Sequence, residues 1–131
     1  MKRKKKTLEY WLPRAFSIFY IIFVSAFALD VFTEFSGIAM LIALFIHLIP
    51  SILLTIILFI AWNFEILGGF LFILFSLVVT FYFKLYDKFI EIFVVTLPIS
   101  VMGLLFLIPH WKEISRRLAK FYRKLKKKIN S

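Results

Sequence analysis

In "FIHLIPS", residues 45–51, an ionisable histidine and a proline stand three positions apart inside a long apolar run. An imidazole accepts a hydrogen bond, donates one or carries a proton, and in hydrocarbon each option needs a partner. Pro50 has no N–H, so the carbonyl of Ile46 loses its helical donor and becomes an acceptor beside His47. Ser51 and Thr55 follow at i+4 and i+8, which puts all three polar side chains on one helical face. Ala43 and Met40 extend that stripe one way and Trp62 the other. It reads either as a packing seam, with small and polar groups bonding across helices, or as a polar pocket or relay. The other candidate is Asp30, with Glu34 one turn on; a carboxyl near the membrane boundary can bind a proton or a cation. Helix rise sets Asp30 about 8–9 Å from His47 along the membrane normal, so a direct bond needs tilt, a bend or a water. The plainer expectation for Asp30 is an interfacial carboxylate capped by loop amides or paired with Lys84 or Lys88. Asp87 and Glu91 are a second pair of carboxylates four apart, at the start of the fourth run. Asp30, His47, Pro50, Ser51 and Thr55 together form the candidate intramembrane polar site.

The elements that must position these residues follow from hydropathy. Of 131 residues, 63% are hydrophobic and 18 are phenylalanine, and the mean hydropathy is +0.96. A water-soluble domain of this length needs far more polar surface. Four continuous apolar runs, at about 15–33, 38–61, 66–83 and 89–108, each match the length a helix needs to cross the hydrocarbon core. They do not alternate as barrel strands do. The links at 33–37, 62–65 and 84–88 are short, which makes successive helices antiparallel neighbours. The fold expected is all-α: a four-helix transmembrane bundle, up-down-up-down, with a C-terminal basic amphipathic helix. Residues 1–14 form a basic N-terminal segment, 15–108 the four-span domain and 109–131 the basic tail. "SAFALD", residues 25–30, contains a small-x-small pattern like a signal-peptide cleavage site after Ala28. The apolar run continues past it through Val31 and Phe32, which favours an intact first span.

Charge gives the orientation. The net charge is +10, and 15 of the 17 Lys and Arg flank the first and fourth spans; Lys84 and Lys88 alone fall on the other side. The positive-inside rule then places both termini in the cytoplasm of a multi-pass protein of the cell membrane. Tyr10, Trp11, Trp62 and Trp111 fall at the same interface, where aromatic rings with a polar edge settle. In the tail, Trp111, Ile114, Leu118, Phe121, Tyr122, Leu125 and Ile129 recur every three or four residues and define one helical face. Arg116, Arg117, Lys120, Arg123, Lys124 and Lys127 lie on the other, placed to hold anionic lipid headgroups at the inner leaflet. Part of that charge is also topogenic. No recognition module for nucleic acid accompanies the basic patch, and none is expected as a partner.

Other polar residues look structural. Glu65, Gly69, Phe72, Ser76 and Thr80 share one side of the third run, with Gly68 beside them, and Thr96, Ser100 and Gly103 share one side of the fourth. Such small residues let helices approach closely. Asn63 is placed to cap the third helix and Glu65 suits its positive end. There is no cysteine, Gly-rich phosphate loop, His-x-x-x-His pair, nucleophile elbow or basic ladder within a span. No enzyme, metal or cofactor is therefore expected.

"FALDVF", "IHLIP" and "IAWNFEILGG" resemble a family of small prokaryotic four-helix membrane proteins of unknown function, over about residues 15–108. The resemblance implies an integral membrane bundle and no mechanism. Two functions of different kind remain. One is a structural or accessory bundle that packs with itself or with another membrane protein. The other is a small proton or cation transporter, or a channel component, using Asp30 and His47.

Overall fold

The structure, a computed structural model, describes residues 8–131; the basic residues 2–6 lie outside them. Among the described residues there are helices and short links and no strand. Helix α1 (Leu8–Ala26) runs through a 3₁₀ turn at Phe27–Asp30 into the short α2 (Val31–Glu34). The backbone stays helical across both joints, so the three pieces act as one apolar helix. It begins at Leu8, so residues 8–14 of the expected N-terminal segment are helical. A hydropathy run cannot register that turn, because Glu9, Tyr10 and Arg14 interrupt the apolar pattern while keeping helical propensity. Phe35 and Ser36 are extended, and Gly37 opens α3 (Gly37–Asn63) at φ +64°. That left-handed conformation is one glycine adopts without steric penalty. Pro50 lies inside α3 without interrupting it.

Phe64 alone separates α3 from α4 (Glu65–Tyr82). Lys84, at φ 53°, turns the chain out of α4. A 3₁₀ turn at Leu85–Asp87 follows, then α5 (Phe89–Glu91), a π turn at Ile92–Thr96 and α6 (Leu97–Leu107). Pro98 explains part of this irregularity: it cannot donate to the carbonyl of Val94, four residues earlier. Tyr20 of α1 fills the gap, its hydroxyl donating to Val94 O at 3.1 Å and lying 3.4 Å from Val95 O. A 3₁₀ turn at Ile108–His110 leads into α7 (Trp111–Ile129). By length and composition, four helical stretches are able to cross a membrane: Leu8–Glu34, Gly37–Asn63, Glu65–Tyr82 and Phe89–Ile129.

The start of α1, the end of α3, the start of α4 and the end of α6 meet at one point, through Arg14, Trp62, Glu65 and His110. The four long helices therefore alternate in direction. Each buries a stripe at helical spacing: Arg14, Ser17 and Tyr20 on α1; Ser51, Leu54, Leu58 and Ala61 on α3. Helix α4 buries Gly68, Gly69, Phe72 and Ser76, and α6 buries Ile99, Met102, Gly103 and Phe106. Phe72 and Phe106 stack at the centre, 5.8 Å apart and 10° from parallel. Helix α4 approaches both α3 and α6 closely. A Cβ added to Gly68 would stand 2.1 Å from the Ala61 Cβ of α3, and in the α4–α6 seam one added to Gly103 would stand 2.7 Å from Gly69 O. Hydroxyls finish this seam. Ser100 Oγ donates to Ser76 Oγ at 3.0 Å, and Thr80 Oγ1 and Thr96 Oγ1 are bonded at 2.7 Å. Thr80 also donates to Ser76 O, so Thr96 is the donor within the hydroxyl pair.

The outward faces are apolar almost without relief. Phe19, Phe45, Phe59, Phe81 and Phe89, on every long helix, are each at least two-thirds exposed. Soluble monomers rarely expose contiguous apolar patches beyond a few hundred Å².

Candidate functional site

The densest polar chemistry lies where the four helix ends meet. Arg14 is 1% exposed, although it stands in the basic N-terminal segment of the sequence. Pro13, Arg14, Ser17 and Tyr20 repeat every three or four residues, so the same face that packs Tyr20 carries the guanidinium into the bundle. Arg14 Nη1 donates to Tyr10 O at 2.7 Å. Its Nη2 donates to Trp62 O at 3.1 Å and to Glu65 Oε1 at 3.0 Å. The guanidinium carbon lies 3.6 Å from the Tyr10 ring centre and 5.1 Å from that of Trp62, which adds cation–π attraction. Arg14 Nε has no hydrogen-bond partner among the described residues.

Glu65 uses its second oxygen on another helix: His110 Nε2–H donates to Oε2. On the far side of the ring, Nδ1 lies 3.8 Å from Glu113 Oε2, and Arg117 donates to Glu113 Oε1 at 2.6 Å. A chain of alternating charge and imidazole thus runs from buried Arg14 on α1, through Glu65 on α4 and His110, to exposed Arg117 on α7. It joins the bundle to the tail. A buried guanidinium cannot shed its proton, so Glu65 must stay beside it as counter-charge.

Sequence reasoning gave these residues lesser roles. Arg14 counts there as topogenic charge and Glu65 as a first-turn carboxylate suited to the positive end of a helix capped by Asn63. In the structure Phe64 is the N-cap of α4 and no side chain caps it, Asn63 included. Glu65 spends its oxygens on Arg14 and His110 instead. The signal for Arg14 was present as helical phase: it shares a face with Ser17 and Tyr20 rather than with the lysines before it.

The candidate intramembrane site is not one cluster. His47 is exposed, and its Nδ1 bonds to Ala43 O at 2.8 Å, one turn back on its own helix. The expectation of a partner on a neighbouring helix is corrected on this point: the free rotation of the imidazole toward i−4 satisfies it locally. Thr55 does the same, donating to Ser51 O at 2.7 Å. Ser51 is buried, and its Oγ has no partner among the described residues. Pro50 is half-buried. His47 and Pro50 border a groove of about 560 Å³ between α1, α3, α4 and the Ile90–Ile99 stretch. Asp30 is exposed at the end of the turn joining α1 to α2, and its backbone oxygen accepts from Thr33 Oγ1 at 2.7 Å. Among the described residues no ion pair joins Asp30 to Lys84 or Lys88; Lys88 pairs instead with Glu91 at 3.5 Å.

The tail residues Arg116, Lys120, Arg123, Lys124 and Lys127 are exposed along α7, and Arg117 is the one held by Glu113. Of the tail's apolar face, Ile114 is buried, while Leu118, Phe121, Tyr122, Leu125 and Ile129 are exposed.

Residues 1–121 match the model of a family described as a domain of unknown function (DUF7670). The match takes in the basic N-terminal segment and the first part of α7, beyond the 15–108 stretch that carries the resemblance in sequence. Neither the curated proteins nor the solved structures contain a match.

Proposed function

We propose that this chain, which belongs to the DUF7670 family, is a multi-pass membrane protein of the structural or accessory kind. Its four spans form the bundle, both ends lie in the cytoplasm, and α7 lies on the inner leaflet holding anionic headgroups. The outward phenylalanines support the membrane setting, since lipid is the solvent that suits them. The distribution of Lys and Arg supports the orientation. The centre of the bundle is filled by Leu54, Phe72, Met102 and Phe106, none more than 1% exposed. That dry packing supports the accessory role over transport through Asp30 and His47, as does the separate, local bonding of those two residues.

The observation that carries the proposal is α7 itself. Leu118, Phe121, Tyr122 and Leu125 form an exposed apolar face, opposite a face of exposed Arg and Lys. An anionic leaflet satisfies both faces at once, with each basic residue contributing about 1 kcal/mol near the surface.

The chain has no cysteine, so single spin labels can be placed at will. In the full protein reconstituted in bilayers, a label at Leu125→Cys should collide with lipid-dissolved oxygen and one at Lys124→Cys with an aqueous nickel chelate. The contrast should be strong with anionic headgroups and weaken in neutral lipid or about 0.5 M salt. The same water exposure for both labels in anionic bilayers removes the inner-leaflet role.

A further inference from the structure

The groove beside His47 has a hydrogen-bonding character that its apolar walls conceal. Its volume, about 560 Å³, is within the range of about 300–1,000 Å³ usual for small-molecule sites. Phe23 and Phe27 of the first helix, Phe75 and Phe83 around α4, and Ile99 of α6 supply an aromatic and aliphatic wall. Three polar side chains face it: Tyr20, His47 and Glu91. The Tyr20 hydroxyl is committed to the carbonyl of Val94. Glu91 is held by Lys88 and, as a carboxylate, only accepts. In His47 the tautomer is fixed by its partner. A carbonyl oxygen cannot donate, so the Nδ1 facing Ala43 O carries the hydrogen, and in the neutral ring Nε2 is a bare acceptor. Ile46, whose carbonyl Pro50 cannot serve as helical donor, lines the same wall. Among the described residues the groove therefore offers acceptors and no free donor.

We propose that this groove binds a membrane-dissolved, largely apolar molecule through its hydroxyl group, a lipophilic alcohol or phenol that donates to His47 Nε2. The hydroxyl supplies the donor that the wall lacks, and the aromatic wall takes the body. A plain acyl chain fills the same volume but leaves the imidazole nitrogen unpaired in an apolar setting, which is costly.

Two photoreactive probes with the same diazirine-bearing alkyl chain separate these occupants: a long-chain phenol and its methyl ether, which has the same body and no donor. In the full protein in lipid nanodiscs, the phenol should label groove residues such as Phe23, Phe75 and Phe83 about fivefold more than the ether does, as one net hydrogen bond allows. Excess unlabelled 4-nonylphenol should suppress it. His47→Leu, which removes the acceptor from an exposed side chain bonded only within its own helix, should bring the phenol down to the level of the ether. His47→Gln, which keeps an acceptor, should retain most of the difference. Equal labelling by both probes assigns the groove to lipid chains and overturns the proposal. So does a phenol preference that survives His47→Leu, and so does an absence of labelling in the groove.

Discussion

The two halves of the bundle treat their ionisable side chains differently. At the Arg14 end these reach across helices: Arg14 to Trp62 and Glu65, and Glu65 to His110. In the half around His47, His47 folds back on Ala43, as Thr55 does on Ser51 and Ser25 on Ile21. The bonds across helices there are made by hydroxyls, Thr80 with Thr96 and Tyr20 with Val94 O. The centre of the first half is closed, with Arg14 buried among rings, and the second opens into a groove between the four helices. The lesson concerns what a polar group in an apolar bundle does for packing. A side chain satisfied by its own i−4 carbonyl imposes no distance between helices, whereas one satisfied by a neighbour does. Tyr20 marks the border: it lines the groove and yet ties α1 to the π turn through Val94 O.

The comparison breaks most readily at Glu65. Glu65→Leu leaves the Arg14 guanidinium buried without a counter-charge and should cost about 3–5 kcal/mol, read from unfolding in detergent. Pairing it with Arg14→Leu removes the stranded charge and should recover most of that loss, since buried ion pairs replaced by apolar groups are often neutral. Equal loss in the single and double variants would show that the ends are held by packing alone. The next effect in size tests closure at the α4–α6 seam. Gly103→Val puts carbon against the Gly69 carbonyl, which as backbone cannot swing aside. A cost of about 1–3 kcal/mol is expected from overpacking of this kind. A neutral Gly103→Val would mean that α4 and α6 can separate freely, as the groove side does.

Much of the closed half was legible in the sequence as spacing, and less of it as chemistry. Four apolar runs gave four helices, and the small residues from Gly68 to Thr80 and from Thr96 to Gly103 lie on the faces that meet. Period alone settles such faces, because helices with short links have few ways to pack. The Arg14–Glu65–His110 chain was not legible, since its members are 51 and 45 residues apart in sequence and only the meeting of four helix ends brings them together. His47 illustrates the opposite failure. Its cost in hydrocarbon points to a partner, but the energy is met equally well by the Ala43 carbonyl on its own helix as by a neighbour, and sequence does not distinguish the two. The π turn escaped for a related reason. Pro98 signals a missing donor at Val94, while the acceptor's rescue by Tyr20, 74 residues away, depends on the tertiary fold.

The sharpest form of the comparison sets two deletions of similar chemistry against each other. Tyr20→Phe removes one hydroxyl whose bond crosses between helices. Val94 O, which Pro98 cannot serve as the i+4 donor, then loses the Tyr20 hydroxyl as well, and about 1–3 kcal/mol of stability should be lost. His47→Leu also removes one hydrogen-bonding group, but its partner Ala43 O keeps the usual helical donor at His47 N, and the side chain holds no second helix. Its effect on unfolding should stay within about 0.5 kcal/mol, the range of a surface change. If bonds across helices set the closed half apart, Tyr20→Phe must exceed His47→Leu in the same detergent and at the same pH. A larger loss at His47 than at Tyr20 would mean that the imidazole orders α3 from the groove side, and the distinction between the two halves would fail.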